Sequence, residues 1–325
     1  MILSDTLINV SLVACSAFFA LNMGGAGFSP SFSAALGAKL VSRTSALIMF
    51  GICVGIGAVL IGGHVAKTLG GGFVPPSTFD KPTALIVIAA SCAALFIASI
   101  ARIPESTSWV TVFAIVALGL MRGNLTTHTI THKLLPAWLS IPPMAFLLTF
   151  ILTRSLYPLR GWNYRLYEHL TKHEWKLRIL VIVSSCYLAV AVGANNVANV
   201  VGPLATAGMF DVQTGMLLFA PVFALGGIVF FRIAKTIGSD VVPLGLYSAM
   251  IINVVVGSMV LIVSWFGIPQ SLVHAQVLSV IGVALAKEGS YELLRHPLLR
   301  RIAVFWLISP LIAGSLVAIQ LVIVG

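Results

Sequence analysis

Two polar, glycine-bearing runs interrupt long apolar stretches and are the residues best suited to chemistry. The first contains Asn22, Gly24, Gly25 and Ser29, and the second is Gly193-Ala194-Asn195-Asn196-Val197-Ala198-Asn199. An asparagine amide is costly in an apolar environment unless it is hydrogen-bonded, so three within five residues predict a polar cavity lined by protein. Glycines would let the helix open, and a helix N-terminus offers free N–H groups and partial positive charge to an anion. The alternative is close helix packing through small residues, with amide hydrogen bonds between helices.

A second pair of segments starts with proline and continues with hydroxyl side chains. Ser106, Thr107 and Ser108 follow Pro104, and Ser271 follows Pro269. Proline is favoured in the first turn of a helix, so each segment predicts a helix start whose hydroxyl and N–H donors can hold an anion. The alternative is an ordinary turn in which serine or threonine caps a helix.

The same two segments carry the ionisable residues that we single out, Glu105 and His274. An ionisable side chain at membrane depth is by default a candidate for proton transfer. Glu105 can instead be a boundary residue that faces water and is favoured by the helix dipole, and His274 can be a packing residue.

The elements that must position these residues are membrane helices. Apolar residues make up 59% of the 325 residues and charged residues only 9%, whereas a soluble domain carries about 25% charged residues. Mean hydropathy is +1.06. Backbone in lipid must satisfy its own hydrogen bonds, so we predict an all-α, polytopic membrane protein. The predicted segments are 6–40, 44–66, 83–101, 106–122, 138–157, 177–208, 213–235, 244–266, 271–286 and 303–324.

Two of these segments, 6–40 and 177–208, are too long for simple spans and contain Gly, Pro and Asn near their middles. We interpret each as a broken helix or as a helix followed by a short re-entrant piece. The pairs within 83–122 and 244–286 are either full spans or re-entrant hairpins. Each half then has five or three crossings, and both counts are odd.

Similar motifs recur in the same order along the chain. The run 65–70 is repeated at 233–238, Pro75 at Pro243, and the segment 103–106 at 268–271. We therefore predict two repeats, 1–158 and 177–325, joined by a basic linker at 159–176. Because each repeat has an odd number of crossings, the second has inverted topology. Inverted repeats with interrupted helices are typical of secondary transporters, whose sites lie near the midplane.

The net charge of +10 does not indicate nucleic-acid binding, because the basic residues lie in short loops between apolar segments. The positive-inside rule then places the 159–176 linker in the cytoplasm and both termini outside the cell membrane. The four cysteines lie within apolar segments and lack the spacing of a metal site. We predict no metal and no cofactor, and lipid is the expected surrounding partner.

The run from Gly193 to Leu204 resembles the second-half signature of the inorganic phosphate transporter (PiT) family, G-A-N-D-x-(A/S)-N-x-(I/V)-G-P-L. The proline-led segments resemble that family's P-x-S-x-x-H motifs. The resemblance spans both halves and implies a secondary transporter that holds an oxyanion between two repeats. It also implies a homo-oligomer.

Two departures from that signature bear on the substrate and the coupling ion. Asn196 stands where the family has an aspartate, and Gly27 stands at the matching position of the first half. In the family these acidic residues hold coupling sodium ions, so sodium coupling is less expected here. The first-half run Asn22-Met23-Gly24-Gly25-Ala26-Gly27 is similar to the CysP-type sulfate permease branch of the same family.

These features together predict import of sulfate by proton symport and alternating access. Sulfate only accepts hydrogen bonds, which suits a site of N–H, amide and hydroxyl donors. The alternatives are a phosphate transporter coupled to protons or sodium, another oxyanion as cargo, and a passive anion channel. No segment joins a nucleophile, a base and an orienting acid, so we do not expect an enzyme.

Overall fold

The computed structural model of the chain describes residues 5–101, 103–157, 174–230, 245–288 and 297–324, with a few more between 161 and 172. Within these ranges the chain is helical and contains no strand, as the sequence predicts. The helices are α1 (Asp5–Gly37), α2 (Arg43–Gly57), α3 (Gly63–Gly71), α4 (Lys81–Ile100), α5 (Thr107–Arg122), α6 (Thr127–Thr129), α7 (Leu135–Leu156), α8 (Glu174–Asn196), α9 (Ala198–Thr206), α10 (Val212–Val229), α11 (Leu246–Trp265), α12 (Leu272–Glu288) and α13 (Pro297–Val324).

Eight helical segments of the described chain are long and apolar enough to cross a membrane. Short π-helical turns at Ala58–Gly62 and Ile130–Leu134 join α2 to α3 and α6 to α7, so each of these pairs forms one long segment. Leu139 and Ile323 are 74% and 76% exposed, which is the placement expected of apolar side chains that face lipid. The chain is therefore a multi-pass membrane protein.

The predicted interruption of the first segment is wrong, because α1 continues without a break from Asp5 to Gly37. Its glycines serve a crossing with α10. A Cβ atom at Gly24 would lie 1.7 Å from the Phe223 carbonyl oxygen, and one at Gly25 would lie 2.3 Å from Phe230 Cβ. The missing side chains let two helix backbones approach closely, which is the packing alternative. At the second predicted interruption α8 and α9 are separated only by Val197, whose backbone is helical. The two helices form one apolar segment of 32 residues, Trp175–Thr206, so the predicted break is reduced to a single turn residue.

The loops that join α4 to α5 and α11 to α12 end inside the protein, and we call them the two hairpin tips. Glu105 and Ser106 of the first tip are 2% and 1% exposed, and Gln270 and Ser271 of the second are both 1% exposed. A loop at the membrane surface would be accessible to water. The buried tips, together with the shorter lengths of α5 and α12, favour the re-entrant hairpin alternative.

Helix contacts in one half have counterparts in the other. Helix α1 packs on α10 as α8 packs on α2, and α1 packs on α4 as α8 packs on α11. Helix α7 packs on α12 as α13 packs on α5, so the last helix of each half covers the hairpin of the other half. This exchange is the pattern that an internal repeat predicts.

Several parts of the predicted organisation stay predictions. The second copies of two repeated motifs, 233–238 and Pro243, lie outside the described residues. The boundaries 1–158, 159–176 and 177–325 and the opposite membrane orientation of the halves also remain predictions. Within the linker, Lys172 and Glu168 form an exposed ion pair of 2.6 Å.

Candidate functional site

The Asn195 side chain joins both hairpin tips to the junction of α8 and α9. Its Oδ1 atom accepts hydrogen bonds from Ser108 Oγ and from the Gln270 N–H, each at 3.1 Å. Its Nδ2 atom donates to Ser264 Oγ at 2.7 Å and to the Ile268 carbonyl at 3.2 Å. Asn195 is fully buried, and all four of its contacts are polar groups of the membrane interior. The two tips therefore meet at one amide.

The Asn199 amide binds the first tip from the start of α9. Its Nδ2 atom donates to Thr107 Oγ1 at 3.1 Å and to Ser108 Oγ at 3.3 Å. Its Oδ1 atom is buried without a hydrogen-bond partner among the described residues. The predicted asparagine cluster and the predicted hydroxyl cluster therefore form one polar site, although their sequences are about 90 residues apart.

Each tip is the capped start of a helix. Ser106 Oγ accepts from the Trp109 N–H at 3.2 Å, and Ser271 Oγ accepts from the His274 N–H at 3.1 Å. An N-cap serine satisfies only part of the four free N–H groups of a helix start. Asn195 accepts from Ser108 in the first turn of α5 and from the Gln270 N–H just before α12, so the positive ends of both helix dipoles lie near it. This arrangement favours an anion.

Glu105 is at the first tip, and among the described residues its carboxyl group makes no hydrogen bond with the asparagines. Its Oε1 atom accepts from the Ser106 N–H at 2.7 Å, and the Ser309 hydroxyl of α13 lies beside the carboxyl group. Its Oε2 atom has no hydrogen-bond partner in the described part of the chain. A buried carboxyl group with one free oxygen can take up and release a proton.

His274 lies in the first turn of α12, next to the second tip, and contacts two indole rings. Its ring centroid is 3.9 Å from that of Trp306 and 5.0 Å from that of Trp109. Its Nε2 atom is buried without a partner among the described groups. The ring contacts fit the packing alternative, and the free nitrogen leaves the proton-carrying role open.

Asn196 is next to Asn195 in the chain and is also buried. Its side chain is 4% exposed, and its Oδ1 atom has no partner within the described ranges. An unpaired buried oxygen is costly, so this oxygen is available to a group that donates a hydrogen bond. Its place in the substrate site stays a prediction.

Five other predicted site residues lie away from the tips' hydrogen bonds. Asn22 Oδ1 accepts from Ser99 Oγ of α4 at 2.9 Å, and Ser29 is buried on α1. Gly193 is inside the continuous helix α8, where a Cβ atom would lie 2.1 Å from the Val54 carbonyl oxygen. The prediction that Gly25 and Gly193 expose backbone N–H groups is wrong, because the helices at Gly24, Gly25 and Gly193 are unbroken and packed against neighbouring backbones.

Sequence reasoning missed Gln270 and Ser264. Gln270 is 1% exposed, and neither polar atom of its side chain has a partner in the described residues. It occupies the repeat position of Glu105, since the segments 103–106 and 268–271 match, and this correspondence was the available signal. Ser264, which accepts from Asn195, is one hydroxyl near the end of an apolar helix and carries no signal of its own.

Comparisons with known proteins agree with this architecture. Residues 23–317 match the phosphate transporter family. The sulfate permease CysP of Bacillus subtilis is 30% identical over 309 residues, which are 94% of this chain and 85% of that protein. A putative phosphate permease of Pyrococcus furiosus is 25% identical over 371 aligned positions, 89% of each chain.

A solved structure, the sodium-dependent phosphate transporter, has the same fold. It superposes with a TM-score of 0.81 at 20% identity, and the match covers 97% of this chain and 98% of that one. The family match spans both hairpin tips and the asparagine cluster. The chain belongs to the phosphate transporter family.

Proposed function

We propose that this chain is a secondary transporter that imports sulfate together with protons by alternating access. The observation that carries the proposal is the meeting of two capped helix starts at Asn195. Together with Asn199, they bring hydroxyl, backbone N–H and amide groups from both halves to one buried point. A site shared by the two halves can open to either side when the halves move relative to each other.

The chemistry of the donors favours sulfate over phosphate. Sulfate is fully deprotonated and accepts hydrogen bonds only, whereas phosphate near neutral pH keeps an O–H group that gains from a carboxylate. The partners of Asn195 and Asn199 among the described residues are hydroxyl groups, a backbone N–H and a carbonyl. Glu105 is directed towards Ser106 and Ser309 instead. The 30% identity to a sulfate permease supports the same assignment.

The proposed substrate site is narrower than the sequence prediction. Its ligands are hydroxyl groups at the two tips and nearby amides. The hydroxyl groups belong to Ser106, Thr107, Ser108 and Ser271, and the amides to Asn195, Asn196, Asn199 and Gln270. Asn22 and Ser29 belong to the wider buried surface of α1. Gly24, Gly25 and Gly193 act by letting their helices pack closely against neighbouring backbones.

The proton is assigned to Glu105, with His274 as the second candidate. Glu105 Oε2 is free to bind a proton in the described part of the chain, and Glu105 adjoins Ser106 of the substrate site. Binding a proton there would reduce repulsion between the carboxylate and an arriving dianion. The proposed orientation has the basic linker in the cytoplasm and both termini outside, and a homo-oligomer is proposed on the family resemblance alone.

Uptake of radiolabelled sulfate and phosphate into proteoliposomes tests the proposal. We expect saturable sulfate uptake that accumulates when a proton gradient is imposed and that does not require sodium. Phosphate as cargo would be recognised by competition that varies with pH, because phosphate changes charge near neutrality and sulfate does not. Uptake that requires sodium and ignores a proton gradient would contradict the coupling. Flux that neither saturates nor accumulates would identify a passive channel.

A further inference from the structure

Two tryptophans hold the hairpin tips, and each holds the tip of the opposite half. Trp138 of α7 donates its indole N–H to the Pro269 carbonyl of the second tip at 2.8 Å. Trp306 of α13 donates its indole N–H to the Pro104 carbonyl of the first tip at 3.3 Å. Both tryptophans are partly buried, so these hydrogen bonds lie within the helix bundle.

The two contacts are related by the internal repeat. Trp138 and Trp306 are 168 residues apart, the same offset as Pro75 and Pro243, and the two tip prolines are 165 residues apart. A single packing contact between an indole and a loop is common. The same exchange in both halves, on the residue directly before Glu105 and Gln270, is a specific arrangement.

Each indole also touches the hairpin of its own half. The Trp138 ring centroid is 4.3 Å from that of Trp109 in α5, and the Trp306 ring centroid is 3.9 Å from that of His274 in α12. The Trp109 and His274 rings, at repeat-related positions, are 5.0 Å apart. Trp109 also donates its indole N–H to the Trp306 carbonyl at 2.9 Å. The four rings form a continuous row of tilted and edge-to-face contacts between the two halves.

We propose that Trp138 and Trp306 are positioning residues that fix the two hairpin tips relative to each other. Each indole ring rests on the helix start of its own half, while its N–H holds the tip of the other half. Each indole therefore ties the tip of one half to the helix start of the other. The consequence for the anion rests on the proposed function, because the tips carry the hydroxyl and N–H donors assigned to the substrate.

We call the two indole contacts with the tips the clamp. Hydrogen exchange of the whole protein in nanodiscs tests it without any substrate. In Trp138→Phe, backbone N–H groups of the second tip, around Ser271, should exchange about five-fold faster, the factor that corresponds to one hydrogen bond of about 1 kcal/mol. In Trp306→Phe, the same increase should appear at the first tip, around Ser106. The control is Trp175→Phe, because Trp175 is 60% exposed at the start of α8, and it should leave both tips unchanged.

The location of the faster exchange decides whether the clamp is supported. Faster exchange at the opposite tip supports the clamp. Faster exchange at the tip of the variant's own half, an equal rise at both tips, or no change overturns it. Sulfate uptake by the same variants tests the proposed function separately: we expect KM to rise about five-fold, with a smaller change in the maximal rate. A reciprocal exchange pattern with unchanged KM upholds the clamp and refutes the assignment of the anion to the tips.

Discussion

Replacing Asn195 with alanine should reduce both the stability of the protein and its affinity for the anion. The side chain makes four buried hydrogen bonds, to Ser108, Gln270, Ser264 and Ile268. Hydrogen bonds between membrane helices contribute about 0.6 kcal/mol each on average, so the free energy of unfolding should fall by about 2 to 3 kcal/mol. The two tips also lose their shared contact, and we expect sulfate affinity to fall at least about ten-fold, which corresponds to about 1.4 kcal/mol.

Asn253 provides a matched control for this substitution. It is a buried asparagine of α11 whose Nδ2 atom donates to Ser184 Oγ and Ser185 Oγ of α8 at 3.5 and 3.4 Å. Asn253→Ala therefore removes an amide between the same two helices but away from the tips. It should cost about 1 kcal/mol of stability and leave sulfate affinity unchanged.

The two effects can be measured separately. Reversible unfolding in mixed micelles gives the free energy of unfolding, and a binding isotherm on the intact protein gives the affinity for sulfate. The reasoning would be refuted if Asn195→Ala bound sulfate as tightly as the unmodified protein. It would also be refuted if Asn253→Ala weakened sulfate binding to the same extent, because the loss would then follow from general loosening of the bundle.

Three further substitutions test other parts of the site. Asn196→Asp puts a negative charge at a buried position, so sulfate uptake should fall at least ten-fold in a proteoliposome assay; unchanged uptake would place Asn196 outside the site. Glu105→Gln should abolish accumulation driven by a proton gradient while exchange of sulfate across the membrane persists, and retained accumulation would move the proton to another group. Gly193→Ala would place a Cβ atom 2.1 Å from the Val54 carbonyl oxygen and should cost about 2 kcal/mol or more, measured by unfolding. Gly55→Ala, which meets nothing within 4 Å, should be neutral, and equal losses in both variants would contradict the packing role.

The features that depend on a few neighbouring residues could be predicted from the sequence. Proline at 104 and 269 predicted a helix start, and α5 and α12 begin three residues after each. Both prolines therefore lie before the capping serine and not in the first turn. Three asparagines in an apolar segment predicted a break, but only Val197, itself helical, separates α8 from α9. Both signals are local, since they depend on backbone N–H groups and on the cost of an unpaired amide.

The role of the glycines could not be predicted in the same way. Glycine is equally suited to opening a helix and to letting two helices touch, and the choice depends on the facing element. Gly24 faces Phe223 of α10, and Gly226 of α10 faces Leu21 of α1 in return, although these residues are about 200 positions apart. A contact at that distance along the chain leaves no pattern in either segment alone.

The candidate site was predicted in its residue types but not in its geometry. Asn195, Asn199 and the hydroxyl groups near Ser106 were identified from the cost of burying polar groups. Their joint position depends on how the hairpins enter the bundle. Gln270 was missed because a glutamine beside a helix start is usually solvated, and only the buried tip leaves its amide unpaired.

The exchange of the last helices between the halves also affects biogenesis. Thr149 of α7 donates a hydrogen bond to the Ser279 carbonyl of α12, 130 residues later in the chain. At the ordinary pace of synthesis, about 5 to 20 residues per second, that partner is made on the order of ten seconds after α7. During this interval α7 is in the membrane without the helix on which it packs. The N-terminal half therefore cannot mature first and act as a finished template, and a chain shortened after α10 should be recognised by quality-control proteases.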